Sequence, residues 1–167
     1  MTVSRMVALG SSFAAGPGIP PVVDRAAGRS GRNHAHLVAA RLGASLVDAT
    51  VSGATTETVL RQRQRVGLRR FPPQVDLVPT DADLVTVTAG GNDLGYLGAV
   101  LTTALVGRLG RWRLTSPVST FARSRRELRP VTAQQKQAAT TGLVSIVTRV
   151  RERAPEATRR LPARRCR

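Results

Sequence analysis

The sequence predicts an α/β fold, a three-layer α/β/α sandwich on a parallel sheet. Three observations predict it. A short apolar run, Met6-Val7-Ala8-Leu9, stops at Gly10-Ser11-Ser12 and gives way to a small-residue loop bounded by Gly16, Pro17 and Gly18. A β-branched run, Asp83-Leu84-Val85-Thr86-Val87-Thr88, is closed by Gly90-Gly91. Helical spacing of apolar residues appears between these runs and after them. Strands alternating with helices bury both faces of a parallel sheet.

The elements follow in order. Met6 to Leu9 reads as a buried strand, and Pro17 to Arg32 as an irregular surface loop rich in Gly, Pro and Arg. Leu37, Val38 and Leu42 set a helix over His34 to Leu42, with Gly43 as its stop. Ala44 to Ala49 is a second strand. Thr55 or Thr56 caps a short helix from Glu57 to about Gln64, and Phe71-Pro72-Pro73 breaks the chain. Asp83 to Thr88 is the third strand. Asp93 to Val106 reads as a helix, and 107–131 as a long arginine-rich connection carrying Trp112 and Phe121. That connection fits a flap over a pocket and a solvated linker equally well. Thr132 caps a last long helix to Arg153, with Leu143, Ile146, Val147 and Val150 on one face.

Composition narrows the class. The 167 residues suit one domain with one sizeable core. Aromatic residues make up only 3%, so packing rests on Val, Leu and Ala. The formal charge is +16, and Lys136 is the only Lys among 26 basic residues. Such charge attracts polyanions non-specifically. The arginines are scattered, however, and few aromatic residues are available to stack on bases, so no specific nucleic-acid partner is expected. No apolar run reaches the roughly 18 to 20 residues of a membrane span. Leu94 to Gly107, the longest uncharged stretch, is shorter than that. Arg5 followed by only Met6 to Leu9 makes an unconvincing signal peptide, so the default compartment is cytoplasmic. Cys166 is the single cysteine, which excludes an internal disulfide; no nearby residue offers it a base. No cofactor or metal is expected. The oligomeric state is left open.

Function rests on three small-residue blocks: Gly10-Ser11-Ser12, Ser52-Gly53-Ala54-Thr55-Thr56, and Gly90-Gly91-Asn92-Asp93. Each stands at or near the end of an apolar run. Any one of them alone is an ordinary turn. Together, in this order, they resemble the SGNH (GDSL-type) hydrolases. In that family a Ser follows the first strand, a Gly the second and a Gly-x-Asn-Asp the third. The resemblance covers residues 5–155 and extends to connecting text, Asn33 to Ala39 and Ser52 to Glu57.

The resemblance implies an esterase or lipase acting on small-molecule or lipid esters through an acyl-enzyme. It makes Ser12 the nucleophile. The backbone N–H groups of Ser12 and Gly53 and the side-chain amide of Asn92 become the oxyanion donors. Glycine at 53 would let the backbone approach substrate without a Cβ in the way. Asp93 takes a structural role, holding its loop or capping the helix that follows. Secreted relatives also belong to the family.

Two departures from the family pattern stand out. Ser11 occupies the place of the Asp that usually precedes the nucleophile. More seriously, the family carries its general base in an Asp-x-x-His block near the C-terminus, whereas no Asp and no His follows Asp93 here. His34 and His36 lie in text resembling the first helix, where a structural or exposed role is expected. From residue 157 the text becomes Ala-Thr-Arg-Arg-Leu-Pro-Ala-Arg-Arg-Cys-Arg, which cannot form a buried strand. The expectation is a hydrolase-like domain over 1–156 and an aberrant arginine-rich tail over 157–167, as a frameshifted or truncated reading frame would give. Two readings then compete: an ester hydrolase impaired by the missing base, and an inactive remnant whose basic surface binds polyanions.

Overall fold

The computed structural model describes residues 2–94 and 131–158. Its centre is a strand, β1 (Arg5–Gly10), whose residues from Met6 to Leu9 are fully buried. Two short antiparallel strands follow, β2 (Val22–Asp24) and β3 (Arg29–Ser30). Then come β4 (Ser45–Asp48), the hairpin strands β5 (Gln64–Val66) and β6 (Arg69–Phe71), and β7 (Leu84–Thr88). β4 and β7 flank β1, both parallel to it, with Val7 opposite Val47 on one side and Val85 on the other.

Alternation along β1 divides the core into two layers. Met6 and Ala8 face Ala35 and Ala39 of helix α2 (His34–Leu42), the second helix after the one-turn α1 (Ser12–Ala15). Val7 and Leu9 face the opposite layer. There they join Val59 of α3 (Thr56–Leu60) and Ile146 and Val150 of α4 (Ala133–Arg153). Helices on both faces of a parallel sheet make the α/β/α sandwich that the sequence predicts.

Caps hold the helix ends where the side chains announce them. The Asn33 side chain accepts the His36 N–H, and Gly43 ends α2 in the left-handed conformation. Thr55 and Thr132 each form a reciprocal capping box. Gly142 lies where α4 crosses α3: a Cβ there would stand 2.6 Å from the Thr56 Cβ.

Several expectations are corrected. The apolar spacing that marks α2 does not mark its buried face. Leu37 is 57% and Leu42 43% exposed, and Val38 is open as well. Ala35 and Ala39 face the sheet instead, because methyl-sized side chains let the helix lie close against Met6 and Ala8. On α4, Ile146 and Val150 are buried as predicted, but Val147 is partly exposed.

Pro17 to Arg32 is more ordered than an irregular loop. Asp24 Oδ1 accepts the Ala27 N–H at 3.0 Å and closes the β2–β3 turn. Burial alone would raise the pKa of that carboxyl. The Ala27 N–H and the charges of Arg69 and Arg29 outweigh burial and hold it below its ordinary value. The helix expected to reach Gln64 stops at Leu60, because residues 64–71 turn back as a hairpin around Gly67. Phe71 seats that hairpin by packing on Ala27 and Val51.

Ala154 and Ala157 are buried in the large core, in and beside the short 3-10 turn Pro155–Thr158. The body of the helix expected over Asp93 to Val106, the 107–131 connection up to residue 130, and the tail from 159, Cys166 included, lie outside the described residues. Among the described residues no helix is long and apolar enough to cross a membrane.

Candidate active site

The C-terminal ends of adjacent parallel strands form the crevice where open α/β sheets bind ligands. Here β1 emerges between two neighbours that are tied to it by backbone. The Ser11 N–H donates to Thr88 O at 3.0 Å, and the Val51 N–H donates to Gly10 O at 3.0 Å. The loops after β1, β4 and β7, which carry the three sequence blocks, are thereby brought together.

Gln74 reinforces the junction. Its side chain is buried, its Oε1 accepts the Gly10 N–H at 2.7 Å, and its Nε2 donates to Gly10 O at 3.1 Å. One amide side chain thus completes the hydrogen bonding of the last β1 residue before the serines. A Gln74→Leu variant strands the Gly10 N–H in the interior. The expected cost is about 1–3 kcal/mol, read as a lower midpoint in urea unfolding. An unchanged midpoint would show that the clamp contributes nothing.

Ser12 is the first residue of α1 and is half-buried. Its backbone N–H has no acceptor among the described residues. Ser11, just before it, is buried and supplies the carbonyl that starts the turn, accepting the Ala14 and Ala15 N–H groups. Gly53 sits in the left-handed region at φ +82, and its N–H is likewise without an acceptor among the described residues. The backbone conformation gives a further reason for glycine at this position. Among the described residues a Cβ on residue 53 would meet only Gln64 Nε2, at an ordinary 3.5 Å, and the positive φ by itself favours glycine.

Asn92 and Asp93 reach across to the second block. Asn92 Nδ2 donates to Ala54 O at 2.7 Å, which fixes the amide and leaves its second proton available. Both Asp93 carboxylate oxygens accept the Thr56 N–H at 3.1 Å, and Oδ1 also accepts from Thr56 Oγ1. Asp93 therefore holds the loop and the start of α3, the helix before it in sequence.

The histidines take structural positions. His34 is exposed. His36 is half-buried, its Nδ1 3.0 Å from Asn33 Oδ1 and 3.5 Å from Asp48 Oδ2. Neither imidazole is hydrogen-bonded to Ser12 among the described residues. Asp48 also accepts from Asn33 Nδ2 at 2.8 Å, Thr50 N–H at 3.0 Å and Thr50 Oγ1 at 2.6 Å. The Arg29 guanidinium lies 3.7 Å away. Asn33 Nδ2 further reaches Ala15 O at 3.4 Å, at the end of α1. This polar group supports the serine turn from behind.

Sequence reasoning missed Gln64, Gln74 and the Asn33–Asp48 pair. The bonds in question, Gln64 to Ser52, Gln74 to Gly10 and Asn33 to Asp48, join residues 12 or more apart, so local pattern does not mark them. Among the described residues no cluster of three His, Cys, Asp or Glu side chains is arranged to hold a metal ion.

Lipase 2 of Streptomyces coelicolor is 39% identical over 106 residues, which are 62% of this chain and 35% of that protein. The extracellular lipase of Streptomyces rimosus superposes with a TM-score of 0.61 at 26% identity, over 92% of this chain and 56% of that one. Phospholipase A1 of Streptomyces albidoflavus gives a TM-score of 0.60 at 26% identity, over 93% and 57%. The chain thus spans little more than half the length of these solved structures and about a third of the curated relative. The pattern of the GDSL-like lipase/acylhydrolase family matches residues 8–163, and the chain belongs to that family.

Proposed function

We propose that this chain is built to hydrolyse carboxylic esters through an acyl-enzyme on Ser12. One observation carries the reading. Two backbone N–H groups, of Ser12 and Gly53, have no acceptor among the described residues, and a fixed Asn92 amide keeps a spare proton. All three stand at the ends of adjacent parallel strands. Unpaired donors of this kind suit the oxygen of a tetrahedral intermediate, which becomes negative as the reaction proceeds.

In this reading Ser12 Oγ attacks the ester carbonyl carbon while its proton passes to a base. The carbon–alkoxy bond then breaks, and the alcohol leaves with a proton. Water cleaves the acyl-serine and regenerates the hydroxyl. Phe13, next to the nucleophile and 69% exposed, offers an apolar surface to the acyl chain. The names of the relatives, lipases and a phospholipase, support lipid or other apolar esters as the substrate class.

Within these 167 residues no His or Asp follows Asp93, and His36 is engaged with Asn33 and Asp48. A positioned general base contributes about 10²–10⁴ in rate. Without one, Ser12 in the 167-residue chain is a weak nucleophile, so Ser12→Ala alone is expected to change little there.

Added imidazole tests the reading by supplying the missing base from solution. Hydrolysis of p-nitrophenyl butyrate is followed against imidazole concentration for the chain and for Ser12→Ala. The variant corrects for imidazole acting alone. A saturable increase seen only with Ser12 is the expected result. Identical curves would sink the reading and favour an inactive remnant, for which the charge of +16 leaves polyanion binding as the remaining activity.

A further inference from the structure

We propose that Gln64 is a positioning residue for the oxyanion hole, holding the Ser52–Gly53 peptide so that the Gly53 N–H faces the reacting centre. The assignment rests on Gly53 being a hole donor, as proposed above.

A trans peptide is rigid, and its C=O and N–H point in opposite directions. Fixing the Ser52 carbonyl therefore fixes the Gly53 N–H. Gln64 Nε2 donates to Ser52 O at 2.8 Å. No other donor to that oxygen is present among the described residues.

The peptide needs such an anchor. Flipping it changes ψ of Ser52 and φ of Gly53. Glycine tolerates either sign of φ, so its own sterics oppose the flip only weakly. The flanking bonds, Ser52 N–H to Ala27 O at 2.8 Å and Ala54 N–H to Val51 O at 3.1 Å, hold the neighbouring planes and not this one. A flipped plane would turn a carbonyl oxygen toward the developing oxyanion in place of the donor. The same glycine that permits φ +82 thus makes the hole easy to lose.

The anchor is itself held. Gln64 pairs with Phe71 across the β5–β6 hairpin, and Phe71 is buried against Ala27 and Val51. The Arg69 guanidinium lies over the Phe71 ring, 5.1 Å from its centroid, and pairs with Asp24 at 3.3 Å. Gln64 Oε1 is buried and has no hydrogen-bond partner among the described residues. A buried amide oxygen left unpaired costs stability. Its retention is accounted for if the other end of the amide is needed where it is.

The test reads orientation separately from rate. In the ¹⁵N-labelled full chain, the residual dipolar coupling of the Gly53 N–H reports its direction. In Gln64→Leu, which has no donor, that coupling is expected to change while those of the β1 amides hold. The Ser12-dependent, imidazole-supported kcat should fall roughly five- to tenfold, with KM little changed, as loss of one hydrogen bond implies.

Gln64→Glu supplies the control. Its ionised carboxylate cannot donate to Ser52 O, so at neutral pH the coupling should be displaced as in Leu. Once acidified below the ordinary Glu pKa of about 4.3, its O–H donates and the coupling should recover. Leu should show no such recovery, as a purely structural role would predict for both. An unchanged Gly53 coupling in Gln64→Leu overturns the positioning role, whatever the rate does. A changed coupling with an unchanged rate upholds the positioning of the peptide and removes Gly53 from the hole.

Discussion

Asn92→Ala is expected to lower the hydrolysis of a short-chain ester by about 10²–10³-fold, the usual loss when one oxyanion donor is removed. In an intact serine enzyme such a loss is one among several. Here it should dominate. When a catalytic triad is broken, the remaining acceleration of about 10³–10⁴ over water comes from the oxyanion hole and binding. On the proposed reading, in which these 167 residues hold no base for Ser12, that remainder is what is left to lose. Deleting Asn92 should take most of it, whereas deleting Ser12 without added imidazole should take little. The reversed order would mean that Ser12 is activated by a group already in the chain.

Stability separates this loss from misfolding. Asn92 also donates to Ala54 O at 2.7 Å, and that bond is worth about 1 kcal/mol. The variant should therefore unfold at a slightly lower urea concentration and keep its far-UV dichroism. A chain that unfolded outright would lose rate for another reason, and the dichroism would reveal it.

The parts of the fold legible in the sequence were those written in local chemistry. Met6 to Leu9 is an uninterrupted apolar run because both faces of β1 are covered. Thr55, Thr132 and Gly43 mark helix ends because capping acts within a few residues. The loops bearing Ser12, Gly53 and Asn92 were legible as three blocks in order. Backbone bonds from Ser11 to Thr88 and from Val51 to Gly10 join those loops.

What was not legible depends on pairing at a distance. Leu37, Val38 and Leu42 gave α2 its period but not its inner face, which is set by the space Met6 leaves above the sheet. The β5–β6 hairpin has strands of three residues, too short for any alternation to show. Gln64 and Gln74 are ordinary polar residues until the backbone they bind is known.

Gly10→Ala is expected to be the most damaging single methyl in the described chain. Gly10 lies at φ +152, where L side chains are strained, at a cost of about 1–3 kcal/mol. A Cβ there would also stand 2.5 Å from Thr88 O. That oxygen cannot simply move aside, because it accepts the Ser11 N–H at 3.0 Å and belongs to the strand paired with β1. Relief therefore requires separating β7 from β1 at the end that carries the serines. Strain and separation together should remove about 3 kcal/mol or more, a large share of the 5–15 kcal/mol that stabilises a typical domain. The urea midpoint should fall steeply with little change in slope. Gly91→Ala is the matched control: three residues past the end of β7, its added Cβ would meet nothing within 4 Å among the described residues, and its midpoint should hardly move. Equal effects of the two substitutions would mean that the close approach of β1 to Thr88 is not what glycine at position 10 provides.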